Sequence, residues 1–446
     1  MVLRFSFKLI FVHFLQAFFN KHQTKQMKVF KFGGASVNSL ERIKNVGQII
    51  KQYNKEPLMV IISAMGKTTN ALEKVVEAFY AGKKEESFKL FEVIKKQHIT
   101  TAKYLLVTRF NECIAQLNDF FTEVEWLLHD KPARAFDYYY DQVVCVGELL
   151  STSIVSHYLN EAGIANTWID VRDIIRTDDN FRDATIDWNV TTQKTNAFVK
   201  PLLDEKKIIL TQGFIGSTDE NESTTLGREG SDFTAAIFAN ILNAENLTIW
   251  KDVEGVMSAD PKLFPEAEFI KELSFDEVIE MAYYGAQVIH PKTIKPLQNK
   301  GIPLHVRSFV DPSLPGTIVY KKQVKNLPPI VIIKQNQALV HLHTQDFSFV
   351  GEKPMSELYE IFGQLKIKPN LLQTGAVRLQ ICLDDKSDKI DQLAAASSSI
   401  FDVQVERDLT LLTIRHFNNA LLNKLVEGKQ ILLQQQTAET VQVLYK

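Results

Sequence analysis

The polar residues best suited to chemistry in this chain recur at one kind of place, the carboxyl end of a predicted strand. Lys31 with Gly33-Gly34 ends a first strand, KVFKF (28–32), and Ser63 ends a second, LMVIIS (58–63). Asp170 and Arg172 close a third, Gln212-Gly213 a fourth and Lys251-Asp252 a fifth. In open α/β sheets that edge is where ligands bind, and agreement among strands says more than any single motif.

Taken singly, the motifs leave alternatives open. KFGG has neither the Gly-x4-Gly-Lys-Ser/Thr run of a Walker loop nor GxGxxG. It offers bare amides and a lysine to phosphate oxygens, or simply a tight turn after a strand. TTLGREGSD (224–232) is more specific, because two threonines, two glycines, Arg228 and Asp232 stand directly before a predicted helix. Free N–H groups at a helix start favour an anion, and an arginine holds a carboxylate through paired hydrogen bonds. Asp232 there also suits an ordinary first-turn acid. Glu148 in VGELLS (146–151) interrupts an apolar helix. It reads either as a solvated side chain or as the acceptor of a substrate ammonium. WKDVEGVMSADP (250–261) follows a strand with a turn and an Asp-Pro stop. Such a loop wraps a base and ribose, or merely reverses the chain.

These residues need a scaffold, and the pattern from Met27 onward supplies one. Short apolar strands alternate with helical periods, which predicts an α/β fold with a mostly parallel sheet sandwiched by helices. Asn38 or Ser39 can cap a helix bearing Leu40, Ile43, Val46 and Ile50 on one face. Residues 71 to about 162 contain almost no Gly or Pro and read as a long helical insertion. A double proline near VKNLPPIVII (324–333) marks a linker. Beyond it, short strands and two modest helices predict α+β modules separate from the first domain. The expected division is an extension over 1–26, a catalytic domain over 27–320 and one or two small modules over 328–446.

Composition excludes several classes. With 51 basic and 53 acidic residues the net charge is -2, which gives no footing for nucleic acid or a membrane surface. The three cysteines, Cys113, Cys145 and Cys382, lack metal spacing and read as buried, reduced thiols of a cytoplasmic protein. Residues 1–26 hold no Asp or Glu, and FKLIFVHFLQAFF is apolar and aromatic. Lys8 and His13 interrupt that run, and no small-residue cleavage site follows, which argues against a signal peptide. It is also too short to span a bilayer. An amphipathic targeting helix is one reading. The reading adopted is an upstream extension outside the fold, with Met27 as its start.

KFGGASV, IISAMGKTTN, VGELLS, GFIGS with TTLGREGSD, WKDVEGVMSADP and YGAQVIHPKT, in this order and spacing, resemble the aspartokinases of the amino acid kinase superfamily. The likeness runs from about Met27 to Ile318. The tail resembles that family's paired ACT-type regulatory modules more loosely. The resemblance implies phosphorylation of the β-carboxylate of L-aspartate by ATP with Mg²⁺, early in lysine, threonine and methionine biosynthesis. It assigns catalysis to Lys31 and Asp232, and substrate binding to Ser63, Glu148 and Arg228. It assigns ATP binding to Lys31, Gly33, Gly34, Ser36, Trp250, Lys251, Asp252, Met257 and Lys262. It implies no protein-held metal, and a homodimer or larger homo-oligomer assembled through the ACT-like region. Competing readings are a kinase of glutamate, acetylglutamate or a nucleoside monophosphate, and an inactive amino-acid sensor. The Glu148–Arg228 pair argues against the first, and the presence of both Lys31 and Asp232 against the second.

Several positions depart from the family pattern. Ala35 replaces a common threonine, Glu229 stands where glycine is frequent and must point away from the anion site, and Gln287 replaces a lysine. In the tail, PNLLQTGAVRL carries Asn370 where lysine- or threonine-sensitive relatives carry an acid. The resemblance therefore implies that feedback inhibition by lysine is weak, altered or absent.

Overall fold

The structure, a computed structural model, describes residues 27–205, 207–345 and 349–446, so the reading of residues 1–26 lies outside the described residues. It resolves into two units. The first contains the chain through Val256 with Lys271–Ile279 and Ile289–Gln323, and the second contains Met257–Ile270, Glu280–Val288 and Val324–Lys446. Two short stretches before residue 320 thus join the second unit. Local bonding accounts for the first of them, since Val331 N–H donates to Ser258 O at 2.7 Å and Ala259 and Phe264 pack on the core around Val331.

The first unit is built on strands β1 (Lys28–Phe32), β2 (Leu58–Ile62), β3 (Asn166–Ile169), β4 (Ile208–Gln212), β5 (Ile215–Ser217), β6 (Ser223–Thr225), β7 (Asn246–Lys251), β8 (Glu272–Ser274), β9 (Leu304–Ser308) and β10 (Thr317–Tyr320). Eight of them form one sheet in the order β8-β10-β9-β7-β1-β2-β4-β3, with only β9–β10 antiparallel. β5 and β6 form a separate antiparallel hairpin. Every residue of β2 and β4 is buried, as expected of parallel strands covered on both faces. From β1 the chain moves to β2 on one side and later returns to β7 on the other. That reversal leaves a crevice at the carboxyl end of β1, the place such sheets use for ligands.

The predicted helical insertion is present as five helices, Thr68–Tyr80, Lys84–Leu105, Phe110–His129, Phe136–Val144 and Val146–Glu161. The last is buried nearly all round over its first three turns, from Val146 to Ser156, so it runs through the interior. Ser39 caps the helix Leu40–Lys51 by accepting from Arg42 N–H. No helix among the described residues is long and apolar enough to cross a membrane. Cys113, Cys145 and Cys382 are free and buried.

The second unit contains one antiparallel sheet. Its strands are β11 (Ile330–Thr344), β12 (Leu371–Thr374), β13 (Arg378–Asp384), β14 (Phe401–Arg415), β15 (Ile431–Gln436) and β16 (Thr440–Tyr445), in the order β12-β13-β11-β14-β16-β15. β11 and β14 are each 15 residues long and pair along their length through a bulge near Gln337. One half of the sheet is covered by helices Glu352–Leu365 and Ser387–Ser397 over a core including Leu358, Phe362, Ile390 and Leu393. The other half carries helix Asn419–Val426 beside Val331, Ile414 and Val443. The helix Ser387–Ser397 was not anticipated from the sequence.

Asn370 sits at the start of β12 in a closed polar network. Its Oδ1 accepts from Lys334 Nζ at 2.7 Å, while Nδ2 donates to Gln337 Oε1 at 2.7 Å and Asp384 Oδ1 at 2.8 Å. Gly285 leaves room for the Lys334 stem, because a Cβ there would lie 2.5 Å from Lys334 Cε. Burial pushes the Asp384 carboxyl up, but hydrogen bonds from Asn370 and Gln337 and the charge of Lys334 outweigh it and hold it below the usual range.

Candidate active site

The carboxyl ends of β1 and β2 are stitched by Ser63 N–H to Phe32 O at 3.1 Å and Gly66 N–H to Gly34 O at 3.0 Å. Gly34 is required by this approach, since a Cβ there would fall 2.5 Å from Ala64 O. A Cβ on Gly33 would meet only Lys31 Nζ, at 3.5 Å. Of the two glycines, the first is the one whose surroundings leave space.

The start of helix Gly230–Ile241 is pressed against the end of β4 in a similar way. A Cβ on Gly213 would stand 2.5 Å from Ser231 Cβ, so only glycine lets the helix come this close. The result is a buried ion pair, Lys31 Nζ to Asp232 Oδ1 at 2.5 Å, with the side chains 12% and 4% exposed. Arg228 precedes this helix start, is exposed, and makes no ion pair among the described residues. Glu229 sits in left-handed backbone (φ 54°), and its carboxylate accepts from His290 N–H at 2.9 Å. That contact gives the added acid a partner of its own.

Glu148 is drawn inside by its helix. Gly147 packs 3.0 Å from Leu72 Cδ1 and 3.3 Å from Ala64 Cβ, counted from an ideal Cβ, which brings the helix down on the segment after β2. Glu148 is 3% exposed, and one of its oxygens, Oε2, has no hydrogen-bond partner. Burial pushes its carboxyl up to about 8, against the opposing pull of the Ala64 N–H and the Lys31 charge. The solvated reading of Glu148 is therefore excluded.

Lys31, Gly34, Ser63, Glu148, Arg228 and Asp232 all line one cleft of about 450 Å³. Thr225, one of the two threonines of TTLGREGSD, lines it too, as do Thr69, Tyr140 and Arg182, to which the sequence had given no role in a site. Other expected positions fall elsewhere. Ser36 is buried, and Trp250 is a core residue, 2% exposed, stacked on Phe32 at 5.8 Å with Arg307 over its ring. One face of the Trp250 ring is thus covered by Phe32. Lys251 and the exposed Asp252 stand at the carboxyl end of β7, next to β1 in the sheet. Met257 and Lys262 belong to the second unit. Asp170 and Arg172 bond each other at 2.8 Å, and Gln212 bridges Val171 N–H and Thr152 Oγ1. Those strand-end groups brace the sheet and do not line the cleft.

The mostly parallel sheet with a cleft at its carboxyl edge is an architecture that known proteins share. Residues 26–308 match the amino acid kinase family. The chain is 31% identical over 418 residues to lysine-sensitive aspartokinase 3 of Escherichia coli, covering 91% of this chain and 90% of that protein. It is 32% identical over 372 residues to chloroplastic aspartokinase 1 of Arabidopsis thaliana, covering 80% of this chain but only 63% of the plant protein. Against the structure of E. coli aspartokinase III in complex with aspartate and ADP, the TM-score is 0.81 at 28% identity, covering 94% of this chain and 96% of that one. The chain belongs to the amino acid kinase family. Within that family its place is with the aspartokinases, as the sequence motifs implied.

Proposed function

We propose that this cleft carries ATP-dependent phosphorylation of the L-aspartate β-carboxylate to 4-phospho-L-aspartate. The observation that carries the reading is Glu148. A buried carboxyl with an unpartnered oxygen, facing a cleft that also holds Arg228 and the Lys31–Asp232 pair, matches an amino acid with an ammonium and two carboxylates. Glu148 receives the ammonium and Arg228 a carboxylate, with Ser63 beside them. The attacking carboxylate, with a solution pKa of about 3.9, is already ionised near neutral pH and needs no base. Catalysis then consists of alignment and charge neutralisation. Lys31 offsets charge on the transferring group, and Asp232 holds the Lys31 ammonium in place.

The triphosphate belongs at the glycine turn of Gly33 and Gly34, with Lys251 and Asp252 at the neighbouring strand end. Roles for Ser36, Trp250, Met257 and Lys262 rest on the family resemblance alone. Of the acids lining the cleft, Glu229 accepts from His290 N–H, Asp232 pairs with Lys31, and Glu148 keeps one oxygen open for the substrate ammonium. Such a set suits magnesium that arrives on the ATP phosphates, where it neutralises their charge.

A coupled ADP-release assay across aspartate, glutamate and acetylglutamate tests the assignment. Aspartate is the preferred acceptor, and Lys31→Ala lowers turnover by about 10²–10³-fold, the size of losing one charge-stabilising donor. Higher activity with glutamate, or an unaffected Lys31→Ala enzyme, overturns it.

The second unit is read as the regulatory region, through which copies of the chain pair; light scattering on the purified protein tests the pairing. An E. coli aspartokinase III structure in complex with lysine and aspartate has a TM-score of 0.77 to this chain at 28% identity. For this chain, lysine inhibition is proposed to be weak, altered or absent. Support comes from Asn370, whose amide hydrogens and carbonyl are already engaged by Lys334, Gln337 and Asp384.

A further inference from the structure

Arg182 is an exposed residue in left-handed backbone, φ 71°, a conformation that non-glycine residues adopt at a cost. Something must hold it there, and that group is Asp141. Asp141 is fully buried and accepts from Arg182 N–H at 2.9 Å, Thr225 N–H at 2.8 Å and the Thr225 hydroxyl at 2.7 Å. Ala184 N–H adds a bond to Thr225 O at 3.0 Å. On the other side, Gly227 is so close that a Cβ would lie 2.6 Å from Asp183 Oδ1 and 3.2 Å from Arg182 O. The loop bearing Arg182 is therefore clamped against the loop bearing Arg228, and both arginines line the cleft.

The guanidinium is steered as well. It lies 4.4 Å from the centre of the Tyr140 ring, another cleft residue, and 3.0 Å from Asp137 Oδ1. Asp137 is more than half exposed, so this is a surface ion pair that a ligand anion exchanges readily. Lys31 is committed to Asp232, which leaves Arg228 and Arg182 as the cations of the cleft lining available to anions. Tyr140 and Asp141 lie on helix Phe136–Val144, which leads directly into the helix carrying Glu148. Arg182 thus stands on the amino-acid side of the cleft.

We propose that Arg182 is a second carboxylate-binding residue for the acceptor amino acid, working beside Arg228, and that Asp141 is the positioning residue that holds it in the cleft. The proposal rests on the aspartate kinase reading, and wild-type turnover of aspartate tests that reading separately. The experiment compares Arg182→Ala, Arg182→Lys and Arg182→Gly in the full chain, varying aspartate and ATP independently. KM for aspartate rises about tenfold in the Ala and Gly variants, with kcat within about twofold and KM for ATP unchanged. Lysine, which keeps the charge but not the fork, recovers part of the loss. The Gly variant relieves the left-handed backbone, so its Tm does not fall even though its KM rises, which separates binding from folding. Asp141→Asn raises KM for aspartate alone but adds little on top of Arg182→Ala. An unchanged KM for aspartate, or a rise in KM for ATP instead, overturns the role of Arg182. An Asp141→Asn effect that is undiminished without the Arg182 side chain overturns the positioning role.

Discussion

Glu148 in the first unit and Asn370 in the second are both polar groups drawn partly or wholly away from water, and their surroundings serve them in opposite ways. Around Asn370 the donors and acceptors close on one another, through Lys334, Gln337 and Asp384. Around Glu148 one carboxyl oxygen is left without a partner, in a cleft where Arg228 is also unpaired among the described residues. A buried polar group left unsatisfied costs about 1–3 kcal/mol, and more when charged. That cost is recovered when a complementary ligand arrives. A saturated network carries no such cost and offers a ligand correspondingly little. The contrast separates a site held ready from one filled by the protein's own side chains.

The largest effect expected from breaking this contrast is at Glu148. Glu148→Gln lowers kcat/KM for aspartate on the order of a hundredfold, as expected for loss of a charged hydrogen bond. The same change stabilises the ligand-free protein above neutral pH. The Glu148 carboxyl titrates at about 8 folded against 4.5 ordinarily, so between those values the unfolded chain is ionised while the fold keeps the proton. Wild-type stability therefore falls as pH rises from about 4.5 towards 8, by on the order of a few kcal/mol, and this part of the decline is absent in the Gln variant. Denaturant melts from about pH 5 to about pH 9 measure both slopes.

Asn370→Asp should cost the second unit about 1–3 kcal/mol, because two donations are lost and a carboxylate is set against Asp384. An unchanged or raised denaturation midpoint would show that the network is not closed. Glu229→Gly trades the bond to His290 N–H for relief of left-handed backbone, and its midpoint should move by less than about 1 kcal/mol. The smallest expected effect is none at all. L-lysine at sub-millimolar concentration leaves activity unchanged in the coupled assay, and clear inhibition would show that Asn370 and its partners rearrange around an effector.

Much of this was legible in the residue order. Buried parallel strands are apolar runs ended by glycine or a polar residue, so β1, β2, β4 and β7 stood out, as did the glycine- and proline-poor helical insertion. Lys31, Arg228 and Asp232 were legible because each flanks a glycine turn at such an end. The second unit was harder. β11 and β14 continue through mixed polar stretches such as FDVQVER (401–407), whose residues Phe401–Glu406 are held by pairing with β11 while Thr410–Arg415 pair with β16, and local pattern alone divides them into shorter strands. Helix Ser387–Ser397 has only a weak apolar face, with Ile390 and Leu393 as its main buried apolar contacts.

The sequence by itself determined the alternation of strands and helices, the sheet edge at which the cleft lies and the family motifs, since these depend on neighbours along the chain. Tertiary structure decided which polar residues at that edge line the cleft. It turned Trp250 into core and Gln212 into a brace, buried Glu148 by seating Gly147 on Leu72, and brought Arg182 beside Arg228 through Asp141. Each of those outcomes depends on close approach between segments distant in sequence, where burial and the pairing of donors set the energy.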